Sequence, residues 1–188
     1  MKLHQPAEYL LKYFSISNTT ASKVIGKTET ILHQGSIEKY IYIILSGAVR
    51  AVYRCENEEF TIRFGYRNSV ITSINSLLSG EPSNFSIETI RKTELITISK
   101  TEFFDAVKQS AEFRKLYVAM LEELIIQQME REIDLLTTSP LERYRRVIKR
   151  SPELFRQIPL KYIASYLRMS PETLSRLRKI DLNQDSQV

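Results

Sequence analysis

Leu160-Lys-Tyr-Ile-Ala-Ser-Tyr-Leu-Arg-Met-Ser-Pro-Glu-Thr-Leu-Ser-Arg-Leu-Arg-Lys179 carries the most specific local pattern in the chain. Leu160, Ile163, Ala164 and Leu167 recur at helical spacing and line one face of a short helix. Arg168-Met169-Ser170 reads as a turn. Ser170 then suits an N-cap, Pro171 the first helical position, and Glu172 the dipole-positive first turn of a second helix. Leu174 and Leu177 supply that helix's buried face, Met169 is apolar inside the turn, and Ala164 is small where the helices cross. Two short helices at these offsets form a helix-turn-helix pattern. Arg168 is a departure, because a residue with a Cβ has to adopt left-handed backbone at a position that favours glycine.

In a helix-turn-helix the second helix is the one that enters a major groove. Its outward residues here are Ser170, Pro171, Glu172, Ser175, Arg176 and Lys179, with Thr173 beside them as a further candidate contact. Arginine can bond a guanine bidentately and glutamate can accept from a cytosine amino group. Lys161 and Arg178, with the cluster Arg143, Arg145, Arg146, Lys149 and Arg150, either meet phosphates or face solvent. The charge balance agrees with an anionic partner. Residues 138–188 hold 11 of the 27 Lys and Arg but only 5 of the 22 Asp and Glu, so the net +5 of the chain resides there.

Upstream of this segment the pattern changes. Thr137-Thr-Ser-Pro140 is a linker, and Ser139, Pro140 and Glu142 form a capping box that starts a helix running to Arg150. Ser151-Pro152 starts another short helix, and Pro159 ends it. A helix of some 26 residues is expected from Ala111 to Leu136, about 40 Å long. Its apolar positions (Phe113, Leu116, Tyr117, Met120, Leu121, Leu124, Ile125, Met129, Ile133) make a stripe broader than a small core requires, interrupted at Gln127 and Gln128. The stripe predicts a dimerisation helix, with packing on the preceding domain as the alternative. Ser99 and Glu102 form a capping box for a helix over 100–109.

From Glu29 to Ile98, short β-branched and aromatic runs at 41–45, 48–53, 60–64, 86–90 and 94–98 alternate with turn signals at Gln34-Gly35, Ser46-Gly47, Glu56-Asn57 and Gly80-Glu81-Pro82. Many short strands with such punctuation predict a roll or sandwich, with a single helical turn over 75–80. Residues 5–25 are expected to be a helical lead-in with Leu10, Leu11, Phe14 and Ile16 on one face and Gly26 as its stop. The predicted class is therefore α+β. Residues 1–110 form a jelly-roll-like sensor domain (a double-stranded β-helix), 111–137 the dimerisation helix, and 138–188 a small all-α helix-turn-helix domain.

This arrangement resembles the Crp/Fnr family of transcription regulators over essentially the whole chain. Ile31-Leu-His-Gln-Gly35 followed by Tyr42-Ile-Ile-Leu-Ser-Gly-Ala-Val49 is similar to the family's strand–turn–strand signature, in which Gly35 and Gly47 make tight turns. Ser170-Pro-Glu-Thr-Leu-Ser-Arg176 looks like its recognition helix, which implies base-reading roles for Glu172 and Arg176. The resemblance implies a homodimer on a palindromic operator, RNA polymerase as a further partner, and a cyclic-nucleotide-binding-like domain. The nucleotide residues depart from the pattern. The family's Gly-Glu ribose pair falls on Thr72-Ser73 and its Arg-Ser phosphate pair on Ser83-Asn84. Uncharged Ser and Asn cannot supply the charge-assisted contact a buried phosphate needs, so cyclic AMP binding is not expected and the pocket reads as degenerate. Gly80-Glu81 with Arg91 mimics the spacing, but in that register the following strand would fall on the capped helix over 100–109.

The remaining expectations are mostly exclusions. Cys55 alone cannot form a disulfide or a four-cysteine cluster, and His4 and His33 make no recognisable metal pair, so no metal or other cofactor is expected. No phosphate-binding glycine loop or nucleophile motif suggests an enzyme. The N-terminus lacks an apolar h-region, and no run reaches the roughly 18 apolar residues of a membrane span, so a cytoplasmic location is expected. Ile180–Val188 leave no room for a β-hairpin wing and are expected to be disordered. The alternative function is a ligand- or partner-sensing module without DNA binding.

Overall fold

The computed structural model describes residues 6–15 and 22–185. His4 and Ile16 lie outside them. The element order is α1 (Pro6–Ser15), β1 (Ser22–Ile25), β2 (Thr30–Leu32), β3 (Tyr40–Cys55), β4 (Glu58–Tyr66), β5 (Val70–Ile71), α2 (Ile74–Ser79), β6 (Ser86–Ser99), then α3 (Lys100–Gln109), α4 (Ala111–Leu136), α5 (Pro140–Arg150), α6 (Pro152–Gln157), α7 (Leu160–Tyr166) and α8 (Pro171–Asp185). The class is α+β. The strands form one antiparallel sheet ordered β1-β6-β3-β4, with β2 added to β6 and β5 added to β3.

Two long strands, β3 and β6, are the axis of this sheet. Each was expected as two strands with a break. Gly47 is not a hairpin turn. It has φ +89° and sits within β3, where the register against β6 shifts. The ladder continues past it because the extra residue is absorbed as a bulge, which bends a strand without ending it. The matching hinge on β6 is Thr93, whose buried Oγ accepts from the Ala48 amide. Gly35 does make a turn (φ +87°), and Glu56 takes φ +55° in the β3–β4 hairpin. A second correction concerns residues 22–25. They form β1, paired with Thr93–Ile96, so they do not belong to the helical lead-in and Gly26 terminates no helix. Lys23 and Val24 are exposed edge positions, and the sheet edge to which they pair cannot be read from local periodicity.

The helices follow their capping signals. Ser99 and Glu102 form a reciprocal capping box at α3. Ser139 accepts from the Glu142 amide and Pro140 occupies the first position of α5. Gly80, left-handed at φ +79°, closes α2. The lower core packs α1, α3 and the first half of α4 on one sheet face through Leu10, Phe14, Ile43, Ile98, Phe103 and Phe113. A second core joins the other end of the sheet to α5–α8 through Ala48, Ile90, Tyr144, Val147, Ile163, Ala164, Leu167 and Leu174. The tail expected to be disordered is helical through Asp185, because α8 continues without a break past Lys179.

Candidate nucleic-acid interface

α7 and α8 are joined by residues 167–170, and the local reasons are those the sequence suggests. Ile163, Ala164, Leu167 and Leu174 are fully buried where the helices cross. Ser170 Oγ accepts from the Thr173 amide at 3.1 Å and so caps α8. Arg168 holds the left-handed conformation at φ +53°, and its guanidinium lies over the Phe60 ring of β4 at 4.7 Å. A contact from a distant strand thus offsets the backbone cost of a non-glycine turn residue.

Ser170, Pro171, Glu172, Ser175, Arg176 and Lys179 are all exposed, on the side of α8 away from Leu174. The Glu172 carboxyl is held below its usual range by its own backbone amide at the helix start and by the Ser170 hydroxyl, with Arg176 adding to the effect. It is therefore a carboxylate, the form able to accept a bond from a base amino group. Thr173 is half-buried, its hydroxyl 3.1 Å from Ser170 Oγ, within the cap rather than on the outer face. Lys161 is exposed beside Tyr162, while Arg178 is half-buried and shares the Tyr144 hydroxyl with Asp181. The tyrosine contact turns Arg178 inward, away from the surface that Arg176 and Lys179 occupy.

Most of the basic cluster on α5 is engaged within the chain. Asp134 of α4 is fully buried and accepts from Arg146 at 3.0 Å and from Arg150. Burial acts most strongly against the Arg150 charge, but the Asp134 bond and charge, with Tyr166 and Glu130, together outweigh it and raise the group above its ordinary value. Arg143 donates to the carbonyls of Thr137 (2.8 Å) and Leu167 (2.7 Å). Arg145 pairs with Asp181 at 3.3 Å, and Lys149 is exposed. An aspartate three residues after Arg131 near the end of α4 was the available signal. Its pairing with residues 12 and 16 positions away depends on how α5 folds back, which spacing alone does not reveal.

The sensor residues are brought together only in part. Ser73 and Ser83 are buried with hydroxyls 2.8 Å apart. Thr72 donates to the Tyr40 carbonyl and Asn84 is exposed. Glu38, which the sequence did not single out, lies at the centre and is buried. Its Oε1 accepts from the amides of Lys39 and Tyr40 and from the Tyr42 hydroxyl, each at 3.0 Å, and its Oε2 lies 3.4 Å from the Ser73 amide. Burial and this carboxylate push the Tyr42 phenol far above its ordinary value. Arg91 is not part of this seam. It lies midway along β6 and donates to the Gln157 carbonyl of α6. Two grooves lie elsewhere, one of about 440 Å³ between α2 and α3 and one of about 360 Å³ along Ala111–Glu122 of α4.

The comparisons agree with an antiparallel sheet followed by a set of helices. Residues 22–110 match the cyclic nucleotide-binding domain family. The matched stretch runs from β1 through α3. Among solved structures, FixK2 from Bradyrhizobium japonicum aligns with TM-score 0.72 at 20% identity, over 89% of this chain and 86% of that one. The global regulator CLP of Xanthomonas campestris aligns with TM-score 0.66 at 13% identity, over 96% and 93%. The catabolite activator protein of Thermus thermophilus aligns with TM-score 0.55 at 20% identity, over 98% and 86%. At these identities the likeness is one of fold, and it extends beyond residues 22–110 into the helices after them. No curated protein sequence matches the chain. No helix among the described residues is long and apolar enough to cross a membrane.

Proposed function

We propose that this protein is a sequence-specific DNA-binding transcription regulator of the Crp/Fnr type, with α7–α8 as its helix-turn-helix. The observation that carries this reading is the exposed face of α8. Glu172, Ser175, Arg176 and Lys179 recur at i, i+3, i+4 and i+7 opposite a fully buried Leu174, on a helix capped and crossed in the helix-turn-helix manner. Glu172 and Arg176 read bases; Lys161 and Lys179 meet phosphates. The regulators among the fold neighbours, a catabolite activator protein and a global regulator of virulence gene expression, support the same reading.

The working form is a homodimer through α4. Val118, Ile125, Met129, Ile133 and Leu136 are all large, apolar and exposed along one stripe of this helix, which a second copy covers by two-fold symmetry. A two-fold dimer then meets a palindromic operator with half-sites about 34 Å apart. RNA polymerase in the cytoplasm is the further partner, no catalytic activity is assigned, and the protein carries no metal or other cofactor. Cyclic AMP is not its effector, since no cation stands at Ser83-Asn84 to meet a phosphate.

The test is Arg176→Ala, measured by fluorescence anisotropy on an operator recovered by selection from a random DNA pool. Loss of a bidentate base contact costs about 1–3 kcal/mol and relaxes specificity at one position of each half-site. Wild-type affinity and wild-type specificity in the variant would sink the assignment and favour a sensing module without DNA binding. Wild-type affinity should also fall steeply as salt rises.

A further inference from the structure

We infer that the α5–α8 unit is held on the cyclic nucleotide-binding domain in its DNA-binding orientation by contacts within the chain, so that DNA binding needs no small-molecule effector. This rests on the DNA-binding reading above and goes beyond it.

Three sets of contacts carry the inference. The first is the join between α7 and the sheet. β4 is the edge strand, and its Thr61 amide donates to Ser165 Oγ of α7 at 3.2 Å. On either side, Arg50 lies over the Tyr162 ring at 4.7 Å and Phe64 packs against Tyr166 with ring centroids 5.5 Å apart. Ala48 and Ile90 of the sheet share one buried core with α5–α8. An exposed sheet edge is a liability, and α7 covers this one.

The second set closes the connection between α4 and α5, the place where a rigid-body rotation would have to occur. Asp134, with Glu130, clamps Arg146 and Arg150 across the linker. Arg143 bonds the linker carbonyl of Thr137 and, through the same guanidinium, the Leu167 carbonyl at the α7–α8 turn. Arg131 is 8% exposed, donates to the Tyr166 carbonyl and stacks on the Tyr166 ring at 3.7 Å. The hinge, the edge strand and the turn are therefore one connected network.

The third set is the cassette formed by α2 and the strand starts around it. An effector acts by binding one arrangement of a protein better than another. Here the polar groups of that region are occupied by the chain itself. Glu38, 1% exposed, ties β3 to the Ser73 amide, its own amide donates to Ser76 Oγ, and Ser83 bonds Gly35 and Ser36 through its backbone. The internal carboxylate performs the joining of β3 to α2 that a bound molecule would otherwise perform.

The experiment is a cross-link. Thr61→Cys and Ser165→Cys are introduced into full-length Cys55→Ser protein, and operator binding is measured oxidised and reduced, with and without millimolar cyclic AMP, cyclic GMP or cyclic di-GMP. The pair should oxidise readily. The oxidised form should bind within about twofold of the reduced form and of wild type, and no nucleotide should change wild-type affinity by more than about twofold. Effector coupling ordinarily amounts to about 5–150-fold, so the two outcomes are well separated. Failure of the cysteines to pair, loss of binding on oxidation that reduction restores, or tightening of wild type by a nucleotide would each overturn the inference. Binding that appears only with nucleotide defeats this inference alone. Absence of binding under every condition defeats the DNA-binding reading as well.

Discussion

Arg168 and Gly47 show how single residues bear on this fold. Arg168 holds a left-handed turn at φ +53° and stacks on Phe60. Arg168→Ala keeps the unfavourable backbone and removes the stacking, which should cost about 0.5–1 kcal/mol in urea unfolding. Arg168→Gly removes both, and should be more stable than the alanine variant by about 1 kcal/mol. An alanine variant as stable as the glycine variant would show that the turn is unstrained. Gly47 is the stronger case. A Cβ there would lie 2.5 Å from the Lys92 carbonyl oxygen and 2.6 Å from Thr93 Cα, at φ +89°. Both neighbours are backbone, so neither can swing aside. Gly47→Ala should destabilise by about 3 kcal/mol or more, seen as a large drop in thermal midpoint.

At the scale of elements, α4 has two apolar faces. Phe113 and Leu116 are buried in the core shared with α1, α3 and the sheet, while Ile125 is 61% and Leu136 73% exposed on the opposite side. Among the described residues, no element covers that second face between Val118 and Leu136. Substituting Ile125→Glu together with Met129→Glu places like charges on the stripe without touching the core. The variant should run as a 21.9 kDa monomer by light scattering, with an unchanged circular-dichroism spectrum. A dimer that survives both substitutions would remove α4 as the seam. The same scale explains why β3 and β6 are each one strand: a bulge at Gly47 bends the ladder, and only the partner strand shows that pairing continues.

For the whole molecule, the arginine and carboxylate networks on the sheet and at the α4–α5 linker bind distant segments to one another. On the sheet, Arg50 bonds Glu59 at 2.7 Å and Glu88 at 3.2 Å. The Arg50 bond, with Arg54 nearby, holds the Glu59 carboxyl below its usual range. A lowered folded value means the pair stabilises the fold above the unfolded carboxylate value of about 4.3 and is lost as pH falls through the lower folded value. Glu59 is about half exposed, so the contribution is below about 1 kcal/mol. Glu59→Gln should therefore reduce stability in urea at about pH 6, and the difference should shrink as pH falls below the unfolded carboxylate value and vanish below the folded one. A difference that persists undiminished in acid would mean the carboxylate charge is not the cause.

Local chemistry in the sequence was sufficient for what depends on neighbours a few residues apart. The capping box at Ser99, the Ser139 cap, the paired helices at 160–179 and the outward Arg176 derive from spacing, because helix caps and helix faces close within a turn or two. The resemblance to Crp/Fnr regulators added the order of the domains. Tertiary structure decided the rest. Whether 22–25 is strand or helix depends on an edge offered by 93–96. Whether the α5 arginines meet DNA depends on Asp134 of another helix, and whether the sensor seam is open depends on a glutamate that sits alone in the sequence. Buried charges find their partners across the fold, and neither periodicity nor composition records that distance.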